Sequence, residues 1–369
     1  MNDASRYLAA AQAAAQVLTG PPRSWFPAGD PGNWVNNYED FWRTPNILGA
    51  LVRLMKADGS RTYEQTVLGG RASFDQYWEP QWGTPSYYDD EGWWGMSFLD
   101  ADALLGASGG WTGRAVNVFN DLVAGWDGVN RGGVWQMRNP KSYPTNFKGS
   151  ISNELYMALG ARLASSPGVA PDPAYLAGAR AVWAWLDASG LIDDQGLIWG
   201  ELDANGQVYR PNVPCTYTQG VVLTGLWGLY AASADAALLD RAQQIAQGAI
   251  DHMTWPGSIL RESCEVNGSC GPSDTNPALF KGIYARSLAE LAVNLRSTGS
   301  PARVAAADAY AAFLRTNADA VLANYPGGVY GMDWHTPSHG YQPTGNTVYD
   351  GCLQFSAIEL FLAAERVGA

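Results

Sequence analysis

Histidine is nearly absent: the chain has three in 369 residues, beside four cysteines. So few imidazoles leave no cluster at metal-ligand spacing. The nearest pattern is His335-Thr336-Pro337-Ser338-His339, and Pro337 breaks any helix that would align its two histidines. Gly-rich phosphate loops, a Ser-His-Asp arrangement and a CxxC site are also missing, so neither metal nor cofactor is expected. Charged residues make up only 16%, and acids outnumber bases to give a net charge of −12. That balance disfavours nucleic acid and anionic membranes as partners. No apolar run approaches the length of a membrane span. The N-terminus lacks a basic region followed by an apolar one, so no signal peptide is read. Cys264 and Cys270 flank an Asn-Gly turn and predict a small disulfide loop, while Cys215 and Cys352 remain as a candidate long-range pair. Disulfides point to an exported protein, secreted or at the cell surface, whose signal has been removed.

Aromatic residues are what the chain has in excess, with Trp 16 and Tyr 18, many in Gly- and Pro-containing stretches. Loop aromatics suit a ligand surface, and an acidic, aromatic protein suits a neutral polar polymer such as a glycan. The densest concentration is Ser86-Tyr87-Tyr88-Asp89-Asp90-Glu91-Gly92-Trp93-Trp94-Gly95. Three adjacent acids among four large aromatics repel one another and lose water, a cost tolerated mostly where carboxylates work. Two close carboxyls can be driven to different pKa values, one an acid and the other an anion. An ordinary acidic helix start would account for the acids but not for the aromatics.

Helical periodicity covers segments near 3–19, 38–57, 61–78, 90–106, 111–127, 149–165, 173–188, 217–232, 235–251, 277–298, 301–321 and 349–366, with little strand signal. Short connections alternate with long ones, so the helices read as six hairpins with all long loops on one face. Even helices are the more apolar and glycine-containing, and are expected inside. The predicted fold is an all-α (α/α)6 toroid, a single catalytic domain over 1–369; an α-solenoid is the alternative. Asp89 and Asp90 then start an inner helix at the floor of the loop-built cleft. The long loops bring Trp25, Trp34, Trp82, Trp135, Trp199, Trp255 and Trp334 to that face as a sugar-stacking groove.

Glycoside hydrolysis needs two carboxyls flanking the scissile bond, and a close pair favours retention of configuration. Tyr87-Tyr88-Asp89-Asp90-Glu91-Gly92-Trp93-Trp94-Gly95 resembles the Asp-Asp signature of glycoside hydrolase family 76, the endo-α-1,6-mannanases. Phe147-Lys148-Gly149-Ser150-Ile151-Ser152-Asn153, Tyr217-Thr218-Gln219-Gly220, and Cys270 with Asp274 running into Phe280-Lys281-Gly282-Ile283 are similar to further family segments, in order. The resemblance implies a retaining enzyme on an (α/α)6 barrel that cuts α-1,6-linked mannan, with Asp89 as nucleophile and Asp90 as general acid/base. The expected sugar-binding residues are Tyr88, Trp93, Trp94, Asn153, Glu201, Tyr217 and Gln219; Asn153 reads equally as a cap on a backbone group. Where the family often has Asp-Gly, this chain has Gly200-Glu201, so the sugar-hydroxyl acceptor is Glu201, Asp203 or neither. The expected partner is α-mannan or manno-oligosaccharide, bound by a monomer. A mannan transglycosylase and a silent glycan-binding protein are the alternatives. Asp193-Asp194 reads as a solvated turn, and Asp100 and Asp102 as structural.

Overall fold

The structure is a computed structural model that describes residues 3–20, 40–78, 87–139, 146–211, 213–336 and 347–368. Six helices turn inward: α2 (Asp40–Asp58), α4 (Tyr88–Leu105), α6 (Ser150–Ser165), α8 (Thr216–Ser233), α11 (Pro277–Ser297) and α13 (Thr347–Gly368). Each packs on the next, and α13 packs back on α2, so the ring closes and the solenoid alternative falls. Outside them lie α1 (Asp3–Thr19), α3 (Glu64–Ser73, extended by a π-turn Phe74–Trp78), α5 (Trp111–Ala124), α7 (Pro173–Ala188), α9 (Ala236–His252) and α12 (Pro301–Asn324). The fold is the expected (α/α)6 barrel.

Composition decides which helices go inside. Inner helix α6 buries thirteen of its sixteen residues, whereas outer helix α9 buries six of seventeen, along one stripe. The inner ring is tight where α11 meets α13. A Cβ on Gly282 would lie 2.6 Å from the Ser356 Cα, so only glycine fits. There the Ser356 hydroxyl donates to the Ala278 carbonyl at 2.6 Å, tying the two helices together.

Among the described residues, the strands of the long connections are only two residues long. β1 (Lys148–Gly149), β2 (Glu201–Leu202) and β3 (Val208–Tyr209) form an antiparallel sheet in that order, with Gly149 opposite Glu201 and Glu201 opposite Tyr209. β4 (Thr254–Trp255) and β5 (Ile259–Leu260) form a second pair. What fixes the loops is a repeated side-chain device. The Asn153 amide accepts from the Val134 N–H at 2.7 Å and donates to the Val134 carbonyl at 3.0 Å. Gln219 does the same to Ile198, both at 2.8 Å. Gln354 does it to Tyr330, and Asn317 takes the Leu260 N–H while donating to Ser258.

The disulfide Cys264–Cys270 forms as expected. Its loop is a short helix, α10 (Ser263–Asn267), opened by a reciprocal Glu262–Glu265 capping box and closed by Gly268 at φ 68°. The Asn-Gly pair is therefore a helix C-cap. Cys215 and Cys352 are not joined in a disulfide, which corrects the long-range pairing: Cys352 is buried in α13, and Cys215 lies 3.7 Å from the Ser263 hydroxyl. The Asp193 turn forms as read, its carboxylate accepting from the backbone of Gln195 and Leu197. His335 sits against the Thr336 hydroxyl at 2.9 Å; His339 lies outside the described residues.

Gly282→Ala tests the tightness of the ring. Helix propensity favours alanine by about 1 kcal/mol, but overpacking against a neighbouring backbone costs about 1–3 kcal/mol. The urea midpoint is expected to fall with an unchanged slope; a raised midpoint would mean that α11 and α13 part freely.

Candidate active site

The site begins at the first turn of α4. Its N-cap, Tyr87, is extended and offers no side-chain cap, so the first N–H groups of the helix need other partners. The Gln136 carbonyl takes the Tyr88 N–H at 3.0 Å. The N–H groups of Asp89 and Asp90 favour the Asp89 carboxylate itself. Successive helical residues diverge by about 100°. The two carboxyls can still serve one site because no preceding turn covers them and helical side chains lean towards the N-terminus.

Asp89 and Trp93 are four apart and share the face towards the ring axis. Burial pushes the Asp89 carboxyl up to about 6, opposed by the Gln136 side-chain amide and the two backbone N–H groups, which favour the anion. Its Oδ1 is buried without a hydrogen-bond partner among the described residues. Asp90 is buried as well. Burial first, then Asp90 and Asp89, raise the pKa of the Tyr87 hydroxyl, so Tyr87 lies near the pair. Glu91 turns away: it is fully buried in an ion cluster with Arg138 and Asp121.

Aromatic rings continue from α4 around the ring. Trp93 lies 6.2 Å from Trp42, Trp42 lies 6.2 Å from Phe280, and Phe280 stacks on Tyr217 at 4.0 Å. The Tyr217 hydroxyl is raised well above its ordinary value by burial first, then by nearby charges that include Asp89 and Glu154. Asp89, Tyr217 and Trp93 are thus brought together.

Four expected sugar binders are placed elsewhere. Tyr88 is buried under the Arg138 guanidinium, packed where a Cβ on Gly125 would touch its ring. Trp94 is buried among Phe41, Phe74 and Phe98, its indole N–H donating to the Phe41 carbonyl. Asn153 and Gln219 are fully buried and spend their amides on the loop clamps, leaving nothing for a sugar. Among the loop tryptophans, Trp135, Trp199 and Trp334 are buried, each with a cation over its ring. Trp255 is half-buried beside His335, while Trp25, Trp34 and Trp82 lie outside the described residues. Glu201 is half-buried on β2, opposite Gly149, and burial raises its carboxyl. Asp203 is engaged by its own turn, its Oδ1 accepting from the Asn205 and Gln207 N–H groups.

Sequence reasoning missed Gln136, Trp42, Phe280 as a ring-stacking residue, and Glu154. Gln136 is oriented by the Ser152 hydroxyl, which donates to its Oε1 at 2.8 Å, and by Gly149, where any Cβ would strike that same oxygen. Glu154 is fully buried, neither carboxyl oxygen has a hydrogen-bond partner among the described residues, and burial raises its pKa well above the ordinary value against the opposing influence of Ser150 and the Val222 backbone. The only signal for these residues was position: Trp42 and Phe280 fall in the first turn of an inner helix, as Asp89 does.

Two outcomes follow. Asn153→Ala leaves both polar groups of Val134 unpaired, so a loss of about 2–4 kcal/mol in unfolding free energy is expected; unchanged stability with a raised KM would restore Asn153 as a sugar ligand. Asp89→Asn should stabilise the fold at neutral pH. A carboxyl whose pKa is raised on folding stabilises below its unfolded value, and that contribution is lost as pH rises through the folded value of about 6. The variant removes this penalty, a gain on the order of 1–3 kcal/mol at pH 7, vanishing below about pH 4. Chemical denaturation at both pH values checks it; a pH-independent difference would contradict the raised pKa.

Residues 5–366 match glycosyl hydrolase family 76. The mannan endo-1,6-alpha-mannosidase DFG5 of Candida albicans is 29% identical over 211 residues, 54% of this chain and 45% of that protein. The chain spans about half the length of the curated relatives it matches. Among solved structures, the GH76A alpha-1,6-mannanase of Salegentibacter sp. HEL1_6 superposes with a TM-score of 0.77 at 20% identity, covering 98% of this chain and 99% of that one. The same enzyme is known as an inactive variant, with two consecutive aspartates replaced by alanine, in complex with alpha-1,6-mannotetrose. Dfg5 of Chaetomium thermophilum, in complex with glucosamine, gives 0.78 at 20% identity over 97% of this chain and 90% of that one. With the match running almost from end to end of the ring, this chain belongs to glycosyl hydrolase family 76.

Proposed function

We propose that the chain is a retaining endo-α-1,6-mannanase, exported, and acting as one catalytic unit around the ring. The observation that carries the reading is the Asp89–Asp90 pair in the open first turn of α4, with a buried, unbonded Asp89 oxygen beside the Trp93–Trp42–Phe280–Tyr217 rings. Family membership and the paired aspartates replaced in the inactive Salegentibacter variant support the same residues. The disulfide supports export.

In this reading Asp90 protonates the glycosidic oxygen while the Asp89 carboxylate attacks the anomeric carbon from the opposite face. A covalent mannosyl-enzyme forms and the leaving chain departs. Asp90, now ionised, takes a proton from water, which attacks the same carbon and frees Asp89; two inversions give net retention. The environment of Asp89 suits the first step. An under-solvated carboxylate attacks readily, and the Gln136 amide and helix N–H groups keep it ionised at neutral pH despite burial. Tyr217, Trp42 and Trp93 supply ring faces for mannose, and Glu201 an acceptor for a hydroxyl.

The role assignment makes a signed pH prediction. With Asp89 as nucleophile, kcat/KM on α-1,6-mannan should fall as pH drops through about 6, because protonated Asp89 cannot attack. A fall as pH rises through that value would make Asp89 the acid instead. Asp90→Ala should lose about 10²–10⁴-fold on mannan. On a substrate with an activated leaving group it should keep the first step, and azide should speed turnover to the α-mannosyl azide. Azide rescue of Asp89→Ala to the inverted product would reverse the roles, and full activity of both variants would remove the pair from catalysis. Products longer than the substrate when an acceptor saccharide is added would mark a transglycosylase.

A further inference from the structure

The opposite end of the ring holds a cavity that the carboxylate pair does not share. It measures about 490 Å³, is lined by side chains from all six inner helices, and reaches up to Trp93, one turn below Asp89. That volume is in the range of small-ligand sites. Its walls are charged, unusually for the centre of a helical barrel.

The charges do not cancel locally. Arg53 spends its guanidinium on two carboxylates, Glu359 through Nε and Nη2 and Asp100 through Nη1. Arg162 takes the other Asp100 oxygen at 2.7 Å and the Met96 carbonyl. Both carboxylates are then occupied. Arg286 is left with an Asn46 oxygen at 3.1 Å and a long 3.5 Å approach to Glu359, both through Nη1. Its Nε and Nη2 have no hydrogen-bond partner among the described residues. Nor are these nitrogens sealed away, for the side chain keeps 18% exposure. The guanidinium lies over the Trp93 ring at 5.6 Å. Burial first, then Arg53 beside it, push the Arg286 pKa down to about 10 against the opposing pull of Glu359 and Asp100. Lys56, Arg366, Glu365 and Glu290 also line the cavity, and the Thr224 hydroxyl donates to Glu290 at 2.9 Å. The cavity carries five cations against four carboxylates, within a molecule whose net charge is −12.

We propose that this cavity is a second binding site, for a small oxyanion of the phosphate or carboxylate class, held on the free edge of Arg286. Two parallel N–H donors of a guanidinium match two oxygens of such a group. A neutral sugar fits worse. It needs acceptors as well as donors, and the carboxylate oxygens at that depth are taken by Arg53 and Arg162. The site shares Trp93 with the proposed mannose surface but not the carboxylate pair, so mannan cleavage and anion binding can each fail without the other.

Inorganic phosphate is the probe, titrated into the full chain at ionic strength held constant with chloride, by calorimetry and by tryptophan fluorescence. Saturable one-to-one binding at millimolar concentration or tighter is expected, with Trp93 reporting it. Arg286→Gln should weaken binding about 10–100-fold, the worth of hydrogen bonds to a charged group. Arg286→Lys, which keeps the charge but not the fork, should fall between. Ala103→Glu leaves the arginines intact and adds a negative charge on the exposed rim, so it should weaken binding about threefold even if Arg286→Gln fails to fold. The Asp89→Asn, Asp90→Asn double variant should bind phosphate as the parent does. The proposal is overturned by absence of saturable binding, by unchanged affinity in Arg286→Gln or Ala103→Glu, by loss of binding in the double aspartate variant, or by acetate and phosphate both failing where mannose binds.

Discussion

A helical ring with long loops on one face must satisfy the backbone of those loops without a sheet to do it, and buried amide side chains answer that demand. Asn153, Gln219 and Gln354 each close on both polar groups of one loop residue, as a neighbouring strand would. The geometry costs the protein little, since each amide has a donor and an acceptor side by side. Losing one would strand two buried peptide groups together, which is why these contacts carry more than their individual worth. The placement of Asp89 descends from them directly. Asn153 holds Val134, Val134 leads into Trp135 and Gln136, and Gln136 both receives the Tyr88 N–H and faces the Asp89 carboxyl.

Electrostatically the ring has two unlike ends. At the N-terminal ends of the inner helices, burial outweighs the N–H groups and the Asp89 carboxyl binds its proton more tightly than in water. About three turns along α4, Asp100 lies among Arg53 and Arg162, and their charges hold its carboxyl below its ordinary value in spite of burial. One helix thus keeps two aspartates in opposite states of ease. Trp93 lies between them and touches both regions, through Trp42 on one side and Arg286 on the other.

The helices were legible because inner and outer segments differ in how completely they are apolar, and because loop length alternates; both are properties of the chain's one-dimensional pattern. The doublet was legible for the same reason, being contiguous. Asn153, Gln219, Tyr88 and Trp94 were not, since a polar or aromatic residue near an active-site motif carries no mark of which way its helix is rotated. Asn153 and Gln219 are polar residues in inner-helix first turns that serve as loop supports, and for Asn153 the backbone-capping alternative is the one realised. Gln136 could not be found at all, because its importance comes from Ser152 and Gly149, which lie across the loop and not beside it in sequence. Cys215 and Cys352 illustrate the same limit: composition can count thiols but cannot bring them together.

The amide clamps have an evolutionary consequence. Each grips a peptide group and is indifferent to the side chain attached there. The aromatic, hydroxyl-bearing Tyr330 is held in the same way as the aliphatic Val134 and Ile198. Loop residues on either side of a clamped position can therefore be replaced, or extra ones inserted, without moving the anchor point. Substrate preference can drift in such a scaffold while the carboxylates stay where they are, because heredity in the loops and heredity in the ring are written in different residues.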